Sequence, residues 1–177
     1  TYEVRLTSNA DAAFEWLVGW SRFESTTGGV LGTTVTLVGD EDTLERITNV
    51  EERLIQEIDA LFGAVNFPVT EQLNLTAELR YTEENQTLTV LAEIFFLPFL
   101  SRPLTTTDAD FDFWSGRIGA DYSFDDNTMV YAYAARGVKS GGINGTSLDP
   151  DNPFRIFEPE INWTYELGIK TDIFGGR

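Results

Sequence analysis

Three aspartates at alternate positions are the residues whose spacing comes nearest to a metal site. Asp108, Asp110 and Asp112 match the opening of a calcium-binding loop, in which alternate positions supply oxygen ligands. Such a loop also needs glycine at its sixth position and glutamate at its twelfth, but this sequence has Phe113 and Gly119 there. The pattern therefore favours a solvated loop leading into a strand, and no metal ligand is assigned.

The other chemistry-bearing groups do not form a catalytic set. The sequence contains no histidine and no cysteine, which excludes a Ser-His-Asp triad, a cysteine nucleophile and imidazole or thiolate metal sites. Residues 139–142 (KSGG) lack the pattern of a phosphate-binding loop and predict a flexible strand exit. Among 29 acidic residues, no spacing selects a pair for glycoside hydrolysis. We therefore expect neither an enzyme nor a bound cofactor.

Charge and composition narrow the classes of partner. The 177 residues carry 12 basic and 29 acidic side chains, a formal net charge of −17, which argues against binding to nucleic-acid phosphates. Aromatic residues make up 13% of the chain, too many for a disordered acidic chain. The longest apolar run, 94–100, is far shorter than the roughly 20 residues of a membrane-spanning helix. Spanning β-strands need only about 9–11 residues, so a membrane role stays open.

The secondary structure that positions the charged and aromatic residues is indicated by an alternation of apolar and polar side chains with a period of two. Apolar side chains at every second position alternate with polar or charged ones, which is typical of strands with two unlike faces. Seven stretches are predicted as strands: 2–8, 14–25, 56–67, 72–83, 111–124, 127–139 and 160–173.

The connections between these stretches alternate in length. Short turns rich in Asn, Asp and Pro alternate with long connections: 9–11, 68–71 and 125–126 are short, and 26–55, 84–110 and 140–159 are long. An up-and-down transmembrane barrel has short periplasmic turns and long outer loops. The sequence thus predicts an all-β fold, an antiparallel up-and-down transmembrane β-barrel segment, with a soluble β-sandwich as the alternative.

One part of the first long connection departs from the period of two. Apolar residues at 44, 47, 50, 54, 58 and 61 recur at helical spacing among charged residues. This spacing predicts a short amphipathic helix over 43–53.

The two strand faces carry residues suited to different surroundings. Charged residues on the polar face would be costly in lipid, so they are predicted to face an aqueous barrel lumen. These are Glu78, Arg80, Arg117, Asp121, Glu166 and Lys170. Aromatic residues near strand ends on the apolar face are typical of membrane-interface girdles. The lipid-facing or interfacial set is Tyr81, Trp114, Tyr122, Trp163 and Tyr165.

Several stretches resemble one family of outer-membrane proteins. Residues 75–82 (LTAELRYT), 129–144 (MVYAYAARGVKSGGIN) and 158–177, with EPE, YELGIKTD and FGGR, are similar in sequence, order and spacing to strands of TonB-dependent outer-membrane receptors. Residues 3–8 (EVRLTS) resemble a further strand of these receptors.

The resemblance implies a specific architecture and function. Such receptors have a barrel of about 22 strands that is closed inside by an N-terminal plug. They take up scarce nutrients, most often ferric siderophores, with energy from the TonB complex. We therefore expect residues 1–177 to be a middle section of one receptor barrel in the bacterial outer membrane, without plug or TonB box. Its edges would pair with other strands of the same receptor, because unpaired edges are costly in lipid.

The expected partners follow from this architecture. They are the remaining strands and plug of the receptor, the TonB complex through the plug region, and a small-molecule ligand such as a metal chelate. Outer-membrane lipid and lipopolysaccharide complete the set, with divalent cations bridging lipopolysaccharide phosphates to acidic groups such as 40–42 and 149–151. Weak candidates for ligand contact are Arg136, Lys139 and Asn144. A passive porin-like channel, and a soluble acidic β-sandwich that binds carbohydrate or calcium, are the alternative functions.

Overall fold

The chain folds into strands and turns wherever its structure is described. A computed structural model describes residues 1–9, 11–36, 44–94, 101–145 and 155–172. The strands in these ranges are β1 (Tyr2–Thr7), β2 (Glu15–Thr36), β3 (Leu44–Pro68), β4 (Leu73–Ile94), β5 (Arg102–Asp125), β6 (Thr128–Lys139), β7 (Gly142–Ile143), β8 (Ile156–Phe157) and β9 (Glu160–Thr171). Within these ranges, no helix is long and apolar enough to cross a membrane.

Seven of these strands form one antiparallel sheet in chain order. The sheet runs β1-β2-β3-β4-β5-β6-β9, and β7 pairs with β8 in a separate two-stranded ladder. Every neighbouring pair in the large sheet is antiparallel. Consecutive order with antiparallel pairing confirms the predicted all-β, up-and-down arrangement and its seven long strands.

The strands are longer than the alternation of residues indicated. Residues 26–55 and 84–110 were predicted as long connections, but β2 continues to Thr36, β3 begins at Leu44, β4 continues to Ile94 and β5 begins at Arg102. That prediction is wrong for these parts because the extra residues are paired. The β4–β5 ladder, for instance, continues to Ala92 opposite Arg102. The acidic groups 40–42 and 149–151 lie outside the described residues.

The predicted helix is also wrong, since residues 44–53 belong to β3. Their backbone groups pair with β2 on one side and, from Thr48, with β4 on the other. A spacing of four residues fits a helix, but four is also an even number, so Val50, Leu54 and Ile58 share one face of a strand. Sheet pairing on both sides therefore overrides the local helical pattern.

Two halves of the sheet differ in what they bury. The turn half, next to the short turns, contains residues 2–7, 15–22, 59–68, 73–81, 114–125, 128–139 and 160–171. The loop half contains residues 23–36, 44–58, 82–94 and 102–113. In the loop half, alternate residues of β4 from Thr82 to Ala92 are at most 7% exposed. Apart from Ala60, the buried apolar residues of the described ranges therefore lie in the loop half, on one face.

Candidate functional site

The pleat of the sheet gives it two faces. The Glu78 face carries the even-numbered residues of β4 and β9 and the odd-numbered residues of β5 and β6, because Glu78 pairs with Arg117 and Glu166 pairs with Tyr133. The Trp114 face carries the residues in between, and it includes the pair formed by Tyr81 and Trp114. The six charged residues predicted to share a face all lie on the Glu78 face.

A chain of polar contacts crosses four strands on the Glu78 face of the turn half. Glu78 accepts a hydrogen bond from Arg117 at 2.6 Å, and the Arg117 guanidinium lies 5.8 Å from the ring centre of Tyr133. The hydroxyl of Tyr133 donates to Glu166 at 2.5 Å, and that of Tyr131 donates to the same carboxylate at 2.6 Å. The structure thus brings three of the predicted residues into one network that connects β4, β5, β6 and β9.

The remaining predicted residues of this face have local partners. Lys170 places its ammonium group 5.1 Å from the ring centre of Tyr131, and Asp121 accepts a hydrogen bond from Asn74 at 3.3 Å. Arg80 lies 5.6 Å from the ring centre of Phe62 and donates to Thr82 at 3.3 Å.

Sequence reasoning missed Tyr131 and Tyr133 as members of the network. Their spacing of two residues places both on one face of β6, which was a usable signal. That both hydroxyls donate to Glu166 follows only from the β6–β9 register, which pairs Tyr133 with Glu166.

The Glu78 face of the loop half holds a buried carboxylate. Glu84 is 4% exposed and accepts hydrogen bonds from Gln56 at 3.2 Å and from Gln86 at 2.7 Å. Gln86 also donates to the backbone oxygen of Gly141 at 3.2 Å. The hydrogen bonds from these two side-chain amides replace part of the hydration that the Glu84 carboxylate loses on burial.

The segment between β6 and β9 folds onto this buried surface. Ser140 to Asn144 and Arg155 to Phe157, together called the β7–β8 segment, are held by β7–β8 pairing and by a 2.6 Å bond from the Asn144 nitrogen to the Arg155 oxygen. At Gly141, a Cβ atom would collide with the ring of Phe111 on β5. Glycine is therefore required where the segment meets the sheet.

The candidates for ligand contact do not form one cluster. Arg136 lies on the Trp114 face, whereas Lys139, three residues later, lies on the Glu78 face with its ammonium 3.8 Å from Glu160. Asn144 lies in the β7–β8 segment. Only Lys139 and Asn144 are therefore on the Glu78 side of the sheet or in the segment that covers it.

The Trp114 face of the turn half is apolar and edged by aromatic rings. Tyr81 and Trp114 lie with ring centres 4.7 Å apart, and Trp163 stacks on Tyr165 at 6.2 Å. Tyr122 contacts Phe124 at 5.1 Å near the opposite end of β5. Other large apolar residues exposed on this face are Val4, Leu6, Trp16, Val18, Trp20, Leu61, Phe67, Leu75, Leu79, Ile118, Leu167 and Ile169.

Charged residues replace apolar ones where the turn half ends. On β2 the first charged residue after Trp20 on this face is Arg22, which donates to Glu24 at 2.7 Å, to Asp59 at 2.9 Å and to Glu57 at 3.2 Å. Every guanidinium nitrogen of Arg22 therefore has a carboxylate partner.

Arg136 occupies the corresponding position on β6 but is not paired in this way. It is the first charged residue after Ala134 on the Trp114 face, and its NH1 atom is buried without a hydrogen-bond partner. The β5–β6 ladder ends at Gly116 opposite Arg136, although β5 and β6 both continue. A cavity of about 450 Å³ fills the gap between the two strands beyond that point, and Arg136 lines it.

The three aspartates at 108, 110 and 112 lie on a strand and not in a loop. They occupy alternate positions of β5 on the Trp114 face, opposite Thr87, Asn85 and Glu83. In the described ranges, no group of three or more acidic side chains has a geometry that would hold a metal ion.

These features together define a class of protein. An antiparallel sheet in chain order, with one apolar face edged by aromatic rings and one charged face, is the wall of a membrane β-barrel. The chain belongs to the TonB-dependent receptor-like β-barrel family, whose model matches residues 1–177. Receptors of this family are outer-membrane proteins of Gram-negative bacteria and are not enzymes.

Solved structures agree with this fold. The ferric yersiniabactin uptake receptor FyuA from Yersinia pestis superposes with a TM-score of 0.74 at 18% identity, over 97% of this chain and 26% of that one. The ferric-catecholate import receptor Fiu from E. coli K12, in its closed form, gives 0.63 at 17% identity, over 99% of this chain and 29% of that one. The chain thus spans less than a third of either receptor.

Proposed function

We propose that this chain forms part of the barrel wall of an outer-membrane receptor for TonB-dependent uptake of a scarce nutrient. The observation that carries the proposal is the apolar band on the Trp114 face. On β4 the band runs from Leu73 to Tyr81, which is about 27 Å along the strand. At a tilt of about 40°, this gives a height of roughly 20 Å, close to the apolar band of outer-membrane barrels.

The band also separates the proposed lumen from the lipid. Glu78, Arg117 and Glu166 lie on the opposite face from Trp114 and Trp163. In a barrel wall, this arrangement directs the charged network toward the lumen and the rings toward lipid. The loop half, whose outward residues are mainly polar, would then stand above the membrane.

The free edges of the sheet support a larger barrel. β1 pairs only with β2, and β9 pairs only with β6, within the described part of the chain. Unpaired edges are costly in lipid, so we propose that further strands of the same receptor pair with both edges. Residues 1–177 would then be one part of a single barrel domain.

The charged network on the Glu78 face supports a partner in the lumen. Glu78, Arg117 and Glu166 are exposed in this sheet, and they offer hydrogen-bond donors and acceptors at membrane depth. We propose that they face the plug of the receptor, through which the TonB complex would supply energy. A passive porin-like channel, the second candidate, would instead leave these groups in water.

The proposed cargo is a ferric siderophore. The two solved relatives are receptors for ferric yersiniabactin and ferric catecholate, by their descriptions. In this chain we propose ligand contacts from Lys139 and Asn144. Arg136 is left out because it lies on the face that meets lipid.

The exposed apolar residues of the Trp114 face also argue against a soluble β-sandwich. A β-sandwich packs a second sheet against the apolar side of the first. In the described ranges, the only other ladder is β7–β8, and it contacts β4 and β5, where it meets the Glu78 face.

Uptake measurements in cells test the proposal. The receptor is expressed in a strain that lacks its own siderophore receptors, and uptake of radiolabelled ferric chelates is compared with and without a working TonB complex. We expect detergent-dependent extraction and saturable, TonB-dependent uptake of one chelate class. Entry that does not need the TonB complex would favour the porin-like channel, and recovery without detergent would favour the sandwich.

A further inference from the structure

We propose that the β7–β8 segment is a fixed inner wall of the receptor and not a lid that opens. The segment would stay docked on the Glu78 face of the loop half during uptake, and the cargo would pass beside it. This inference rests on the proposed function, because it places the Glu78 face in the lumen of an uptake receptor. The segment would then limit the width of the passage permanently on this side of the barrel.

The first argument is the close fit of two buried glycines. A Cβ atom at Gly141 would collide with the ring of Phe111 and with the backbone oxygen of Phe157. A Cβ atom at Gly142 would lie 2.6 Å from the ring of Phe157. Both glycines are buried. The backbone of the segment therefore lies directly against a ring of the sheet, in a contact as close as those of a protein interior.

The second argument is a buried hydrogen bond from the sheet to the segment. The side-chain amide of Gln86 donates to the backbone oxygen of Gly141 at 3.2 Å and to the carboxylate of Glu84 at 2.7 Å. Gln86 and Glu84 are only 5% and 4% exposed. A small displacement of the segment would leave buried polar groups unpaired where water does not reach them, which is costly. The segment is therefore held in one position and not over a range of positions.

The third argument concerns the place where a lid would have to hinge. The β6–β9 ladder extends to Lys139 opposite Glu160, and only Ser140 separates this ladder from Gly141. A moving lid turns on a few residues that absorb large changes in backbone dihedral angle. Glycine has this freedom, but Gly141 is packed against the sheet. The segment could therefore open only after its own contact with the sheet is broken.

Two polar atoms of the segment oppose its docking. Ser140 Oγ and Arg155 Nε are buried without a hydrogen-bond partner, and Arg155 is 6% exposed. Leaving a buried polar atom unpaired is costly, whereas an apolar group of similar shape avoids that cost. Replacement of Arg155 by an apolar residue of similar length should therefore tighten the docking.

A variant with tighter docking separates a fixed wall from a lid. In Arg155→Met, the backbone amide of Asn144, which donates to the oxygen of residue 155, should exchange its hydrogen more slowly than in wild type. This exchange is measured in the full-length receptor purified in detergent. The uptake rate in cells should not change if the segment is a fixed wall. A lid that is held shut more tightly would open less often, and uptake would slow.

A cross-link between the segment and the sheet gives a second test. The carboxylate of Glu52 on β3 lies beside Gly145, because a Cβ atom there would be 2.5 Å from Glu52 Oε1. Residues 1–177 contain no cysteine, so Glu52→Cys with Gly145→Cys introduces a single pair in this part of the receptor. A short bis-thiol reagent joins the pair, and the two single-cysteine variants and wild type receive the same treatment as controls.

Uptake after cross-linking is measured with the cargoes of the two solved relatives, ferric yersiniabactin and a ferric catecholate. We expect the cross-linked receptor to take up its chelate at the same rate as the untreated double variant. A loss of uptake in the cross-linked pair that the controls do not show would overturn the proposal. Slower uptake in Arg155→Met would overturn it as well.

Hydrogen exchange separates this proposal from the proposed function. If the wild-type receptor takes up neither chelate, the proposed cargo is wrong, and the exchange of the Asn144 amide alone decides on the docking. Protection close to that of Leu88, which is paired with strands on both sides, would support a fixed segment. Exchange at the rate of an exposed loop would overturn it.

Discussion

The two halves of the sheet handle apolar surface in opposite ways. In the loop half, Leu88 and Phe111 are 1% and 7% exposed on the Glu78 face, where the β7–β8 segment contacts the sheet. In the turn half, Ile118 and Leu167 are 66% and 82% exposed on the Trp114 face. The loop half therefore buries most apolar residues of its Glu78 face against its own chain, whereas the turn half leaves those of its Trp114 face exposed.

This difference supports the proposal that the two halves lie in different solvents. Exposed apolar side chains in a continuous band would be costly in water, but they are the expected lining of a wall in lipid. A core on the opposite face, beneath a docked segment, is how a sheet in water gains stability. The change from exposed apolar residues to a buried core occurs within single strands. On β4 it lies between Tyr81 and Thr82.

The largest expected effect concerns the core of the loop half. Phe111→Ala should destabilise docking of the β7–β8 segment by about 3–5 kcal/mol, because it leaves a cavity in a buried contact. Amide hydrogen exchange at Gly142 and Ile143 measures this loss directly. Phe113→Ala, on the same strand and face but only half-buried, is the control and should cost less. Unchanged exchange in Phe111→Ala would show that the segment does not depend on this core.

A charge in the apolar band tests the turn half. Ile118→Arg places a cation opposite Ala77, near the middle of the band, and should cost about 2–4 kcal/mol of folding free energy in bilayers. Thr106→Arg, on the same strand and face but in the loop half, should cost no more than about 1 kcal/mol. Denaturant titration of refolding into lipid vesicles compares the two variants. Equal losses of folding free energy in the two variants would show that the two halves do not differ in their surroundings.

The faces of the turn half could be predicted because they depend only on local alternation. Trp114 and Arg117 differ by an odd number of residues, so any strand through them must place them on opposite faces. The sequence therefore assigned the charged and aromatic sets to their faces before any pairing was known.

The loop half was predicted less well because its outward residues are polar. Thr87, Thr89 and Asn85 have the composition of a loop, while Gln86, on the opposite face, contacts Gly141, which lies 55 residues away in sequence. That the NH1 atom of Arg136 is buried without a hydrogen-bond partner could not be predicted either. Long-range pairing and docking are the parts that a local pattern does not contain.

A smaller effect is expected where the β7–β8 segment meets the sheet. Gly141→Ala would drive a methyl group into the ring of Phe111 and the backbone of Phe157, at a cost of about 1–3 kcal/mol. Gly137→Ala is the matched control, because the added Cβ atom would lie 4.0 Å from its nearest neighbour, the Asn162 backbone oxygen. Protease sensitivity of the segment should rise in the first variant and not in the second. Similar sensitivity in both would contradict close docking at Gly141.

The smallest effect is expected for the ion pair of the turn half. Glu78 and Arg117 are about half exposed on their face, at side-chain exposures of 49% and 46%, so their mutual coupling should be at most about 1 kcal/mol. A double-mutant cycle with Glu78→Gln and Arg117→Gln, read by denaturant titration in vesicles, measures this coupling. Raising the salt concentration should reduce it further, because exposed charges are screened. A coupling of several kcal/mol would contradict this expectation and would mean that the pair is shielded from water, as close packing against the plug would cause.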